Sequence, residues 1–293
     1  MKSFRHHGLK PVRIAMLFHA RRTLRKSAKA ASKLLPRKFA SSDAIFWVVI
    51  LFLFMPLIVL FVYSFNASRS GEWKGFSLFW YQKLFTESPD LWRAFENSAL
   101  IAITSASMAT MLGTLAAVGT ARYSFALKSY VATMSFIPMI LPEIVVGVSL
   151  LVFFAGIGLK LGLISVWIAH TTFNIPFVYL LVSARFAESD PTIVEAAKDL
   201  GATEIQTLFK IILPMALPGI ASAFLTSVTL SLEDFVITFF VSGPGATTLP
   251  LYIYSMIRFG VSPVVNALSA VMVAGTVLLV YPLRNFLKAF AAR

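Results

Sequence analysis

An all-α membrane protein with six transmembrane helices is predicted by three observations on this 293-residue chain. Apolar side chains make up 58% of it and charged ones only 13%, against roughly 45–50% and about 25% in an ordinary soluble domain. Mean hydropathy is +0.79, which means more apolar surface than one globular core can hide, so lipid takes the remainder. Finally, apolar intervals of at least roughly 20 residues, the length that crosses ~30 Å of hydrocarbon, recur six times, five of them with an uncharged stretch of that length and one interrupted by Glu143.

The intervals fix the spans in order. Ile45 to Tyr63 is the first, and Asn97 to Ala121, between Glu96 and Arg122, is the second. The third lies between Lys128 and Lys160 and contains Pro138, Pro142 and Glu143, so a long kinked helix with an ionisable group at membrane depth is expected. Leu161 to Ala184 is the fourth. The fifth starts near Met215 and runs through Glu233 and Asp234 to about Val241, and the sixth is Pro263 to Leu283. Leu249 to Ile257 is too short to cross and follows the breaker-rich SGPGATTLP, so it reads as a short interfacial helix. The second span sets Ser105, Ala109, Gly113, Ala117 and Ala121 four apart, a stripe of small residues fit for close helix approach within the subunit or at a subunit interface.

The net charge of +13 resembles a nucleic-acid signal until it is located. Residues 1–42 hold 12 of the 26 Lys and Arg and no acid, which leaves 14 basic and 13 acidic residues in the body, 43–293. The charge therefore belongs to one tail, and no nucleic-acid partner is expected. Arg-rich, acid-free and containing Ser, the tail fits a targeting peptide or a basic segment on anionic lipid, the preferred reading. With the amino terminus inside, cytoplasmic segments carry 20 Lys and Arg and external loops 6, so both termini are expected in the cytoplasm. The chain has no Cys, hence no disulfide or thiolate metal site.

The loop between the fourth and fifth spans, 185–214, reads as two short helices with a hinge. Asp190 is an N-cap with Pro191 at the first helical position, and Ile193, Val194, Ala197 and Leu200 form an apolar stripe that stops at Gly201. Thr203 with Gln206 is a capping box, and Ile205, Leu208 and Ile212 give the second helix an apolar side before Pro214 ends it. The stripe needs cover, either from the ends of the spans or from a partner protein.

Within this loop, Glu195-Ala196-Ala197, three residues, Gly201, nine residues and Ile211-Ile212-Leu213-Pro214 match E-A-A-x3-G-x9-I-x-L-P. This pattern resembles the EAA motif of permease subunits of bacterial ABC importers. From about residue 45 onward the chain is similar to the second permease subunit of spermidine/putrescine importers, through YSFNASR from Tyr63, EAAKDLGA from Glu195, TLSLEDFVITFFVSGPGATTLP from Thr229 and YSMIRFGVSPVVNALS from Tyr254. The resemblance implies a type I ABC importer permease fold in the bacterial inner membrane. It also implies a coupling helix that meets a cytoplasmic ATPase through Glu195, Ala196, Ala197, Gly201, Leu213 and Pro214. The partners it implies are a second permease subunit, two ATPase subunits and a periplasmic solute-binding protein. The basic tail is longer than the resemblance implies, and the resemblance assigns it no function.

The chain contains no G-x-x-x-x-G-K-[ST] phosphate loop. No cofactor is therefore expected on it, and ATP with Mg belongs to the partner ATPase, so the subunit is not expected to be an enzyme. Glu143, Glu233 and Asp234 lie at membrane depth, where each carboxylate costs about 2.5–3.5 kcal/mol on insertion scales, and so are the candidate solute contacts. Adjacent Glu233 and Asp234 point about 100° apart on a helix, and Asp234 is preferred for the pathway. A polyammonium solute suits these carboxylates, with aromatic faces adding cation–π attraction. His170 and Asn174 share a helix face and read as interhelical packing. Permeases for other small solutes and proton-coupled carriers use similar carboxylates; the EAA loop argues against the carrier and against an intramembrane hydrolase.

Overall fold

The computed structural model describes residues 39–291, apart from 70, 191 and 260–262, with side chains described as far as 278. The basic tail, 1–42, lies outside the described residues except for 39–42, which already belong to the first helix. Among the described residues there are twelve helical elements and no strand beyond an isolated bridge between Asn66 and Phe76. They form two compact units that divide between Val59 and Leu60.

The first unit holds most of α1, Phe39–Tyr63. Its apolar side chains are exposed on every face, and its segment Asp43–Tyr63 is long and apolar enough to cross a bilayer.

In the second unit a short helix, α2 (Phe79–Thr86), precedes α3 (Pro89–Arg122), which opens on a proline whose missing N–H costs nothing at that position. α3, α7 (Leu163–Ala187) and α9 (Glu204–Glu233) pack along one another as the centre of the unit. The small-residue stripe of α3 explains the closeness of that packing. Ser105, Ala109 and Ala117 are fully buried and Gly113 faces Val178 of α7, so these four serve packing inside the subunit, while Ala121 is exposed.

Three boundaries differ from the sequence reading. The third span is not one kinked helix: α4 (Lys128–Met134) and α5 (Ile137–Ile140) meet α6 (Glu143–Gly156) at a bend of 111°. Leu141 and Pro142 are both extended there, as the clash of a proline ring with its predecessor favours. The fifth span begins not at Met215 but at Glu204, because the helix passes through Pro214. A π-helical turn over Leu208–Ile212, with Leu213 N–H reaching the Leu208 carbonyl, widens the helix just where the proline ring would clash. The same span stops at Glu233, and Asp234 is extended (φ −64°, ψ 121°) before a separate short helix, α10 (Val236–Val241).

α11 (Leu249–Phe259) is the expected short helix, packed with α2, the start of α3 and α12 (Val264–Ala291) around Trp80, Leu84, Leu91, Val264 and Leu268. Four helices among the described residues are long and apolar enough to span a membrane, or five if the bent α4–α6 segment counts as one. The expected sixth span corresponds to α12, whose described apolar portion, Val264–Leu278, is shorter than a crossing.

Candidate functional site

Two features are the candidates for function: the loop 185–214 and a polar cluster at the break between α9 and α10. In the loop, Asp190 accepts a hydrogen bond from the Thr192 N–H (2.9 Å) and starts α8, Thr192–Asp199. This bond holds the Asp190 carboxyl below the usual carboxylate range. α8 ends in a Schellman motif, with Gly201 N–H bonded to the Lys198 carbonyl (2.9 Å) and Ala202 N–H to Ala197 (3.0 Å). Gly201 sits at φ +83°, the left-handed region that glycine tolerates. The capping box then restarts the chain: Gln206 N–H donates to Thr203 Oγ1 (3.2 Å) and Thr203 N–H to Gln206 Oε1 (3.0 Å). Lys198 and Glu204 pair across the hinge.

The apolar stripe is divided between two tasks. Val194 and Ile212 are buried together with Val118 of α3, and Ala197 is buried beside them in α8. Leu200 (89% exposed), Ile205 (71%) and Phe209 (62%) are left uncovered. Glu195, Ala196, Gly201 and Pro214 are exposed too, and Leu213 is half-buried. One side of the loop is therefore fixed to the membrane helices while the other offers apolar surface.

At the break, Asp234 turns inward. Its Oδ1 accepts from the Ile237 N–H (3.2 Å), and its Oδ2 from the Thr238 N–H (2.9 Å) and Thr238 Oγ1 (2.7 Å), which caps α10. His170 of α7 is fully buried. Its Nε2 lies 3.1 Å from Asp234 Oδ2 and 2.9 Å from Thr238 Oγ1, and its Nδ1 lies 2.6 Å from Ser231 Oγ. The Thr238 hydroxyl hydrogen is committed to Asp234, so Nε2 faces two acceptors and must carry a hydrogen. One turn along each helix, Asn174 and Ser227 are also buried, with no hydrogen-bond partner among the described residues.

The three predicted carboxylates thus have different surroundings. Asp234 is enclosed and fully bonded, whereas Glu233 and Glu143, the first residue of α6, are exposed. Beside Glu233 lies an apolar groove of ≈ 470 Å³ lined by Leu232, Phe235 and Tyr254 among others, with the Phe235 and Tyr254 rings 4.6 Å apart. Sequence spacing placed His170 and Asn174 on one face but held no sign that Ser231, Asp234 and Thr238 would meet His170 from across the unit. The one available signal was their own 3 and 4 spacing.

A helical membrane protein with an anchored yet half-uncovered loop between two of its spans defines a class, and residues 109–293 match the family of binding-protein-dependent transport system inner membrane components. The chain belongs to that family. It is 44% identical over 230 residues to the spermidine/putrescine transport system permease protein PotC of Escherichia coli (strain K12), covering 78% of this chain and 87% of that one. It is 41% identical to the putrescine transport system permease protein PotI of the same organism, covering 77% and 83%. In fold it is similar to a bacterial alginate ABC transporter chain (TM-score 0.63, 21% identity, 91% and 96% covered) and to one of the MetNI methionine ABC transporter (TM-score 0.54, 22% identity, 71% and 97% covered).

Proposed function

We propose that this chain is one permease subunit of an ATP-driven polyamine importer in the bacterial inner membrane. The observation that carries this is its identity, across most of its length, with two permeases named for spermidine and putrescine. In this reading it pairs with a second permease subunit to form the pathway. A binding protein delivers solute from outside, and both termini are cytoplasmic, with α12 as the sixth span.

Two ATPase subunits hold ATP and Mg, and each permease docks one of them. Here the docking face is the uncovered side of the loop: Glu195 and Ala196 on α8, the hinge at Gly201, and Leu200, Ile205 and Phe209, with Leu213 and Pro214 behind. Burial of Val194 and Ile212 against α3 supports a lever role, since a push on α8 is passed to the membrane helices through packed side chains. For the solute, Glu233 and Glu143 are the carboxylates open to a pathway, with Phe235 and Tyr254 positioned to offer aromatic faces to an ammonium group. Asp234 stands behind them.

Uptake of labelled putrescine and spermidine into proteoliposomes containing the assembled importer tests the reading. ATP-dependent accumulation of either, competed by the other and not by a neutral solute of similar length, is expected. Accumulation of neither would overturn the solute class.

A further inference from the structure

The segment from Thr229 to Val241 contains no glycine or proline, yet the helix breaks within it at Asp234. Intrinsic propensity therefore does not cause the break, and side-chain bonds must hold it. Asp234 supplies the local part by capping α10. The rest comes from α7, which grips both sides of the break. Upstream, His170 Nδ1 meets Ser231 Oγ at 2.6 Å; downstream, Nε2 meets Asp234 Oδ2 at 3.1 Å and Thr238 Oγ1 at 2.9 Å. The far end of α10 is held by the same helix, where Ser165 Oγ donates to the Val241 carbonyl at 2.7 Å. α10 also lies against α6, where Gly147 faces Ile237 and Phe240.

Glu233 is the last residue of α9 and sits between these two attachments of His170, with its own side chain exposed. Its placement at the end of α9 therefore depends on how the break at Asp234 is held, and the buried imidazole ring is the one group among the described residues that hydrogen-bonds to both sides of it. We propose that His170 is a positioning residue for solute recognition: it pins both sides of the break to α7 and so aims the Glu233 carboxylate into the pathway. This rests on the reading of Glu233 as a solute contact.

The test is a double-mutant cycle in the assembled importer, measuring initial uptake of labelled spermidine against concentration for the parent, His170→Gln, Glu233→Gln and the double variant. A glutamine amide keeps one donor and one acceptor, but on a flexible chain with both atoms three bonds from Cβ, so it does not hold Ser231 and Asp234 in the fixed arrangement of the rigid ring, whose Nδ1 is two bonds and Nε2 three bonds away. His170→Gln should raise the half-saturating concentration about tenfold, as loss of a hydrogen bond to a charged group implies, with a smaller change in maximal rate. In the Glu233→Gln background the same substitution should add little. If His170→Gln leaves half-saturation unchanged while Glu233→Gln raises it, or if the two effects multiply, His170 does not act through Glu233 and the inference fails. If Glu233→Gln transports like the parent, the reading of Glu233 fails and takes the inference with it. Ser231→Ala, which removes the upstream contact with His170 and the 3.5 Å contact with Ser105 Oγ but leaves the histidine in place, guards against misfolding of the histidine variant: a smaller rise of about threefold is expected, and an unchanged value overturns the proposal.

Discussion

A β-carbon on Gly113 of α3 would lie 2.7 Å from both Cβ and Cγ1 of Val178 on α7 and 3.0 Å from the Ile175 carbonyl oxygen. Neither a β-branched side chain nor a helix backbone yields at that distance, so the helices would have to separate. Gly113→Ala should therefore destabilise the subunit by about 1–3 kcal/mol, the usual cost of overpacking. At Gly119, further along the same helix, a β-carbon would meet nothing within 4 Å, and Gly119→Ala should be neutral or stabilise by about 0.4–1 kcal/mol. Thermal inactivation of the detergent-solubilised protein compares them, and equal midpoints would show that the α3–α7 contact is looser than the geometry says.

Gly201 presents the opposite case. A β-carbon there meets no atom of this chain within 4 Å, so a substitution costs only through the backbone at φ +83°. Gly201→Ala and Gly201→Asn adopt the same chain path at different cost, asparagine entering the left-handed region far more readily. Solute-stimulated ATP hydrolysis by the assembled importer should be impaired by alanine and largely retained with asparagine. If both variants fail equally, contact with the partner surface rather than backbone conformation governs the position.

At the other end of α8, Asp190 gives the loop a dependence on acidity. Its folded-state pKa is depressed by the hydrogen bond from Thr192, so the carboxylate's contribution is complete above the ordinary value of 3.8 and is lost as pH falls through the lower folded value. Amide protection in the first turn of α8, measured by hydrogen exchange from about pH 5 to 2 with the intrinsic rate removed, should fall over that window. Asp190→Asn keeps a side-chain acceptor that does not titrate, and should flatten the curve. An identical pH profile in the variant would mean that Asp190 is not the group being read.

What could be read from the sequence, and what could not, divides by the range of the interactions involved. The Gly201 stop and the Thr203–Gln206 capping box are bonds between residues three to five apart, so their pattern is written in consecutive letters. Four of the spans, or five with the bent third, were legible because hydropathy is additive along the chain. The break at Asp234 was not, since its decisive partner, His170, lies 64 residues away and hydropathy passes smoothly through both. The choice between Asp234 and Glu233 for the pathway was out of reach for the same reason: helical periodicity says that the two diverge, but not which one finds a buried imidazole. Pro214 misled in the other direction, because a π-helical turn upstream lets the helix continue through a residue that normally ends one.

The divergence of the two neighbours makes a direct prediction. Asp234 accepts four hydrogen bonds, one at Oδ1 and three at Oδ2. In Asp234→Asn one of those oxygens becomes an NH2 group, and whichever way the amide turns, it faces a backbone N–H. A buried donor is then set against a donor, which costs about 1.5–3 kcal/mol. The variant should assemble in lower yield and lose its quaternary structure at lower temperature. Glu233→Gln disturbs no bond inside the subunit, because the side chain is exposed. It should assemble like the parent, while uptake of putrescine and spermidine half-saturates at about tenfold higher concentration, the effect of about 1.4 kcal/mol of lost attraction. Complex yield, melting temperature and uptake measured on the two variants together separate the roles. An Asp234→Asn complex of parental stability with impaired uptake would make Asp234 the solute contact after all and return Glu233 to the lipid or the partner subunit.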